Sequence, residues 1–151
     1  METLTRQVNR RLLEEHQATL ALWTRVESAL AAGRAEPALL RAAAASLGGE
    51  IGHHFRFEEE ALFPRLAASG EGDIASLLAE EHATIQDAAR RFIELVNAGT
   101  AEREIRVLGL ELAERLVSHV QKEEMSMLPA LEDLLDDDAD AELALRMQEE
   151  S

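Results

Sequence analysis

The chain has 151 residues, a third of them Ala or Leu, with no Cys or Tyr, and 30 acidic against 15 basic residues for a net charge of −15. That length folds as one domain with a real core, and the scarcity of β-branched and aromatic residues favours helix over strand. Missing Cys excludes disulfides, iron–sulfur ligation and thiolate zinc sites, and the charge argues against nucleic acid or an anionic membrane as partner, because polyanions would be repelled.

The amino-terminal stretch METLTRQVNRRLLEEH has no apolar core of signal-peptide length, and no run of 18 apolar residues occurs, so a cytoplasmic location is expected. Apolar residues recur at helical spacing through four long segments. The first helix is predicted over about 4–31, with Leu12, Leu13, Leu20, Trp23, Val26 and Leu30 facing inward. Gly33 stops it, and Pro37 opens a second helix that reaches the mid-60s, where Pro64 bends or ends it. SGEGD (69–73) is a turn, with Asp73 as cap of a third helix over about 73–97. NAGT (97–100) ends that helix and offers Thr100 as cap of a fourth, over about 101–128. A short fifth helix is expected near 140–150, and the acidic run LEDLLDDDADAE (131–142) reads as a solvated tail or a helix-capping segment. Short loops between long amphipathic helices predict an all-α, up-down-up-down antiparallel four-helix bundle over 1–135, followed by an acidic segment at 136–151.

The chain repeats itself. EEHQATL (14–20) returns as EEHATI (80–85), and HFRFEEEALFPRL (54–66) as HVQKEEMSMLPAL (119–131), at offsets of 66 and 65 residues. Each half is therefore one helix carrying E-E-H and one carrying H-x3-E-E. Residues four apart share a helix face, so His54 and Glu58 point together, as do His119 and Glu123. Counted from one end of the bundle, His16, His54, His82 and His119 lie 15, 17, 15 and 18 residues along their helices. At about 1.5 Å per residue these levels agree within roughly 5 Å. Flanking Leu12, Leu20, Ile51, Leu62, Leu78, Ile85, Leu116 and Val120 place those faces in the core. Buried carboxylates without partners are costly. Two of them facing four imidazoles, with no thiolate, are best satisfied by metal: a pair of iron ions first, manganese next, with zinc compatible by residue type.

These residues, from His16 to Pro129, carry a resemblance: the paired H-x3-E-E-x2-[LM]-[FL]-P signature is similar to the hemerythrin-like (HHE cation-binding) family. The resemblance implies a four-helix bundle around two iron ions, oxo- or hydroxo-bridged, with His16 and His54 on one, His82 and His119 on the other, and Glu58 and Glu123 bridging. Oxygen-carrying members have a further iron-binding His where this chain has Leu78. They also carry an Asp five residues after the last His, where this chain has Glu124, the alternative to Glu123 as bridge. The four-His, two-Glu set is similar instead to bacterial repair-of-iron-centres proteins, which are associated with nitrosative and oxidative damage and with iron delivery. Those proteins usually carry a Cys-bearing N-terminal region that this sequence lacks, an expectation against direct iron–sulfur repair.

His53 is rotated about 100° off the inner face and is expected at the surface, and Glu59 and Glu60 fall round toward solvent. Glu50, four residues before His54, is a candidate acceptor behind the ligands, an extra ligand or a proton relay. Glu15 and Glu81 precede their histidines and line a polar route or stand as surface charge; Glu81, with Glu50, is the candidate to back the ligands. Met125, Met127 and Trp23 read as packing residues. The function expected is a di-iron protein acting on peroxide, NO or O2, or handling iron under such stress, as a monomer or homodimer. The other readings are an O2 or iron carrier or sensor, and a di-iron oxidase or oxygenase with an organic substrate.

Overall fold

The computed structural model describes residues 3–99 and 101–149, and those residues form helices joined by short connections. α1 spans Gln7–Ala31. The second rod is assembled from α2 (Pro37–Gly48), α3 (Glu50–Phe57), a π-turn at Glu58–Leu62 and α4 (Phe63–Ala68). α5 (Gly72–Ala98) is the third. α6 (Glu102–Lys122), a π-turn at Glu123–Met127 and α7 (Leu128–Leu134) make the fourth, and α8 (Asp137–Glu149) closes the chain. α6 packs on α1 and α5, and α5 on α2, which gives the expected all-α bundle with a short fifth helix.

The second rod is not one α-helix. It breaks at Gly49, where a Cβ would stand 3.1 Å from the carbonyl oxygen of Ala45, and it runs on past Pro64 to Ala68. The π-turn explains that passage. A proline has no N–H and its ring crowds the carbonyl four residues back. In both halves the residue just before the proline closes a wider ring instead: Phe63 N–H donates to the Glu58 carbonyl and Leu128 N–H to that of Glu123. Such bulges within helices are frequent at functional sites, and these two begin at the two inward-facing glutamates.

The third helix begins at Gly72, so Asp73 sits inside its first turn rather than capping it. Thr100 lies outside the described residues. Leu12, Trp23, Val26 and Leu30 are buried as expected, whereas Leu13 and Leu20 are only half-buried. Met127 is fully buried, but Met125 is 82% exposed and packs nothing. Two apolar clusters fill the bundle, one around Trp23, Phe92 and Leu112 and one around Leu12, Leu62 and Leu128. Each fully buried side chain of this size contributes roughly 1.5–3 kcal/mol. The Trp23 indole N–H donates to Ser46 Oγ at 3.2 Å. Gly109 lets α6 approach Leu30 and Phe92, which a Cβ would strike.

The acidic run supplies a cap. α1 has no side-chain cap of its own. Glu132 accepts from the backbone N–H groups of Thr5 (2.9 Å) and Arg6 (2.8 Å), and buried Asp140 accepts from those of Gln7 (2.9 Å) and Val8 (3.0 Å). Carboxylates from the far end of the chain thus satisfy the orphan donors of the first turn and complement its dipole. Leu143 and Met147 of α8 join the same apolar cluster as Val8 and Leu12.

Candidate metal centre

Between the two apolar clusters lies a polar layer. His16 on α1, His54 on α3, His82 on α5 and His119 on α6 are buried there, with Glu58 and Glu123 wholly so. Each carboxylate turns one oxygen toward each histidine pair. Glu58 Oε2 lies 3.0 Å from His54 Nε2 and Oε1 3.0 Å from His82 Nε2. Glu123 Oε1 lies 2.8 Å from His16 Nε2 and Oε2 3.0 Å from His119 Nε2.

The outer face of every imidazole is also taken. Nδ1 of His16 meets Glu124 at 3.0 Å, that of His54 meets Glu15 at 2.7 Å, that of His82 meets Glu59 at 2.8 Å and that of His119 meets Glu81 at 2.8 Å. A carboxylate only accepts, so each Nδ1 carries the hydrogen and donates it. Each Nε2 of a neutral ring then presents a lone pair inward, against the oxygens of Glu58 and Glu123. Lone pairs held about 3 Å apart need a cation between them, a proton or a metal ion. On the His82–His119 side, with both rings neutral, His82 Nε2, His119 Nε2, Glu58 Oε1 and Glu123 Oε2 are buried acceptors facing one another without a hydrogen between them.

Two cation cradles result. One is formed by His16, His54, Glu58 and Glu123, the other by Glu58, His82, His119 and Glu123, and within each the ligand atoms lie within 4.8 Å of one another. Bonds of about 2.0–2.2 Å to nitrogen and oxygen need little contraction of that spread. The donor chemistry fits a metal, and the cradles share both carboxylates.

Without a metal the centre is held by protons. Burial works to lower the His82 imidazole, but hydrogen bonds to Glu123 and Glu58 and the charge of Glu58 raise it to about 9. His54 is likewise raised well above its ordinary value against the burial effect, chiefly by Glu58 and Glu123, and His119 is raised by Glu123 and Glu58. Burial alone would raise the Glu123 carboxyl; hydrogen bonds from His119, His16, His54 and His82 hold it well below the carboxylate range.

The outer carboxylates revise the reading of several residues. Glu81 backs His119, and Glu15 does the same for His54. Glu59 is exposed as expected, yet its carboxylate also reaches across to His82, while Glu60 lies beside Arg146 at 3.6 Å. Glu124 meets the outer nitrogen of His16, and it is Glu123 that occupies the centre. Glu50 is exposed and makes no hydrogen bond or ion pair among the described residues. His53 is exposed beside Arg56. Glu81 stands where the sequence put it, behind a candidate ligand; for Glu15, Glu59 and Glu124 the repeat carried the signal, since the Glu before each E-E-H histidine and the second Glu of each H-x3-E-E both recur. Phe55 was also missed; its ring stacks on His82 at 3.8 Å and 6° and meets His119 edge-on at 5.4 Å.

Beside the centre is a cavity of about 20 Å³, walled by His16, His54, His119 and Glu123 and otherwise by Thr19, Ile51, Phe55, Leu116 and Val120. Space of that size holds about one water.

A helical bundle that buries four imidazoles and two carboxylates as two adjoining cation cradles defines a metal-site bundle. The chain matches the Hemerythrin HHE cation binding domain over residues 7–149 and belongs to that family. No curated protein matches it. No helix among the described residues is long and apolar enough to cross a membrane.

Proposed function

We propose that the chain is a non-haem di-iron protein that reacts with small oxidants (peroxide, NO or O2) or handles iron under oxidative or nitrosative stress. His16 and His54 hold one iron, His82 and His119 the other, and Glu58 and Glu123 bridge them. The observation that carries this reading is the orientation of the imidazoles: four Nδ1–H groups tied to outer carboxylates and four Nε2 atoms turned to two shared carboxylates. Outer partners of this kind orient metal-binding histidines and raise their basicity. Two iron ions bound there supply electron transfer to or from a small molecule and a Lewis-acidic surface on which it binds.

The chain's own residues do the rest. Glu58 and Glu123 neutralise charge and keep the two halves at fixed separation, and Phe55 clamps His82. Leu78, buried one turn before His82, leaves that pair without a third imidazole. The cavity beside the centre is too small for an organic substrate, which favours small oxidants over the oxidase or oxygenase reading. The test is to quantify bound metal in the purified protein, then mix the reduced and oxidised forms with O2, peroxide and NO while recording absorption spectra. Rapid loss of peroxide or NO over many turnovers supports the proposal. A stable, reversible O2 adduct without turnover supports a carrier, and a native protein without iron removes the reading.

A further inference from the structure

The two halves of the repeat differ at their mouths. Outside His54, between α1 and α3, is a cleft of about 350 Å³ whose walls include Glu14, Glu15, Glu50, His53 and Met147. Outside His119, between α5 and α6, is a cleft of about 430 Å³ lined by Glu80, Glu81, Ile85, Arg115 and Lys122, among others. At the 65-residue offset Lys122 replaces Phe57. Three residues past the E-E-H histidine, buried Ile85 stands on its helix where the other half has Thr19, while Thr84 beside it is exposed and bonds back to the Glu80 carbonyl. The Lys122 ammonium hydrogen-bonds Glu81 and ties off the carboxylate behind His119. The inner cavity beside the centre shares Thr19 and His54 with the first cleft, and no residue with the second.

We propose that the small ligand reaches the centre through the first cleft, past Thr19, and that this route admits uncharged molecules such as NO, O2 and hydrogen peroxide ahead of anions. The inference rests on the di-iron reading above and adds the route and the charge class of the ligand. His54 is pinned on both ring nitrogens, by Glu15 and Glu58, and cannot swing aside. Thr19 is half-buried and short, so rotation of its side chain is the smallest movement that joins cleft to cavity. In the second half the branched Ile85 fills the corresponding place. The rim of the first cleft is anionic: Arg11 lies 4.0 Å from Glu15, but Glu14 and Glu50 have no ion-pair partner among the described residues. Carboxylates at a mouth lower the local concentration of anions and leave neutral molecules unaffected.

The experiment uses the full-length, iron-loaded, reduced protein and follows association of NO and of azide by stopped-flow absorption, with metal content measured for every variant. Thr19→Ile, which installs the residue of the other half, is expected to slow NO association about tenfold or more, to slow dissociation in parallel and to leave iron content unchanged. Ile85→Thr is the matched control and leaves the NO rate unchanged. Glu14→Gln combined with Glu50→Gln raises the azide rate several-fold, most at low ionic strength, without changing that of NO. A Thr19→Ile protein that takes up NO at the wild-type rate, or equal effects of Thr19→Ile and Ile85→Thr, overturns the route. An azide rate insensitive to the two Glu→Gln changes overturns the charge selection. Wild-type protein that holds no iron, or holds iron and binds neither probe, defeats the functional reading and this inference with it; iron-loaded wild type that binds NO while the variants disagree defeats the inference alone.

Discussion

Glu59 Oε2 lies 2.8 Å from Nδ1 of His82, joining the second rod of the bundle to the third behind the candidate centre. Its repeat counterpart, Glu124, does the same for His16 across the other interface. These contacts make the four imidazoles point inward as a set. Glu59→Gln and Glu124→Gln are each expected to weaken metal binding about 10- to 100-fold, the usual cost of losing such a partner. Glu60→Gln, next in sequence but directed to Arg146, is expected to change nothing. Competition of each variant with a coloured chelator for Co(II) or Fe(II) measures this; equal affinities across the three would remove the role assigned to the outer carboxylates.

The metal-free protein is expected to be pH-sensitive in a definite direction. His82 titrates at about 9 in the fold against about 6.5 in an unfolded chain. A raised folded value means stability fully present below about 6.5 and lost as pH climbs through about 9. Metal uptake near neutral pH must displace such protons, and that release fades above about 9. Thermal melts of metal-free protein from pH 6 to 10, with proton release on Co(II) addition followed by an indicator dye, check both. A metal-free melting temperature that rises over this range contradicts the assignment.

At acid pH a different device gives way. Glu132, bonded to the backbone of Arg6, the side chain of Asn9 and both backbone and hydroxyl of Thr5, is depressed to about 2. Its folded value lies below the unfolded one of about 4.3, so its contribution is present above about 4.3 and lost as pH falls toward about 2. Glu132→Gln is expected to lower stability at pH 7 and to narrow the gap from wild type as pH drops. Asp140→Ala, which strands two N–H groups of α1, is expected to cost about 1–2 kcal/mol at pH 7. Urea unfolding at pH 3, 5 and 7 resolves the two, and a Glu132→Gln deficit that does not shrink with acid would contradict the first.

The bundle and the six inward residues could be read in advance because two periodicities overlapped. Helical spacing put His54 with Glu58 and His119 with Glu123, and the 65- and 66-residue repeat put the four histidines at one level. Glu81 was legible as a candidate to back the ligands, but Glu15, Glu59 and Glu124 escaped in that role because their partners lie on other helices, and a helical wheel knows only its own. Glu59 falls toward solvent on the wheel of its own rod, yet its side chain is long enough to reach His82. The π-turns were hidden for a related reason. Pro64 signals an interruption, but not that the residue before it will bond back to the Glu58 carbonyl and let the helix continue. The role of Asp140 was equally illegible, since an acidic run does not name the helix end it will cap.

The proposed centre places two metal ions between the four Nε2 atoms, sharing Glu58 and Glu123. Anomalous diffraction at the iron edge, from crystals of protein purified with its native metal, tests it most directly. Two peaks are expected in the core, one among His16, His54, Glu58 and Glu123 and one among His82, His119, Glu58 and Glu123, both lost in a His54→Ala, His119→Ala double variant that still folds. No iron peak in this layer, or a peak elsewhere that survives the double variant, would contradict it.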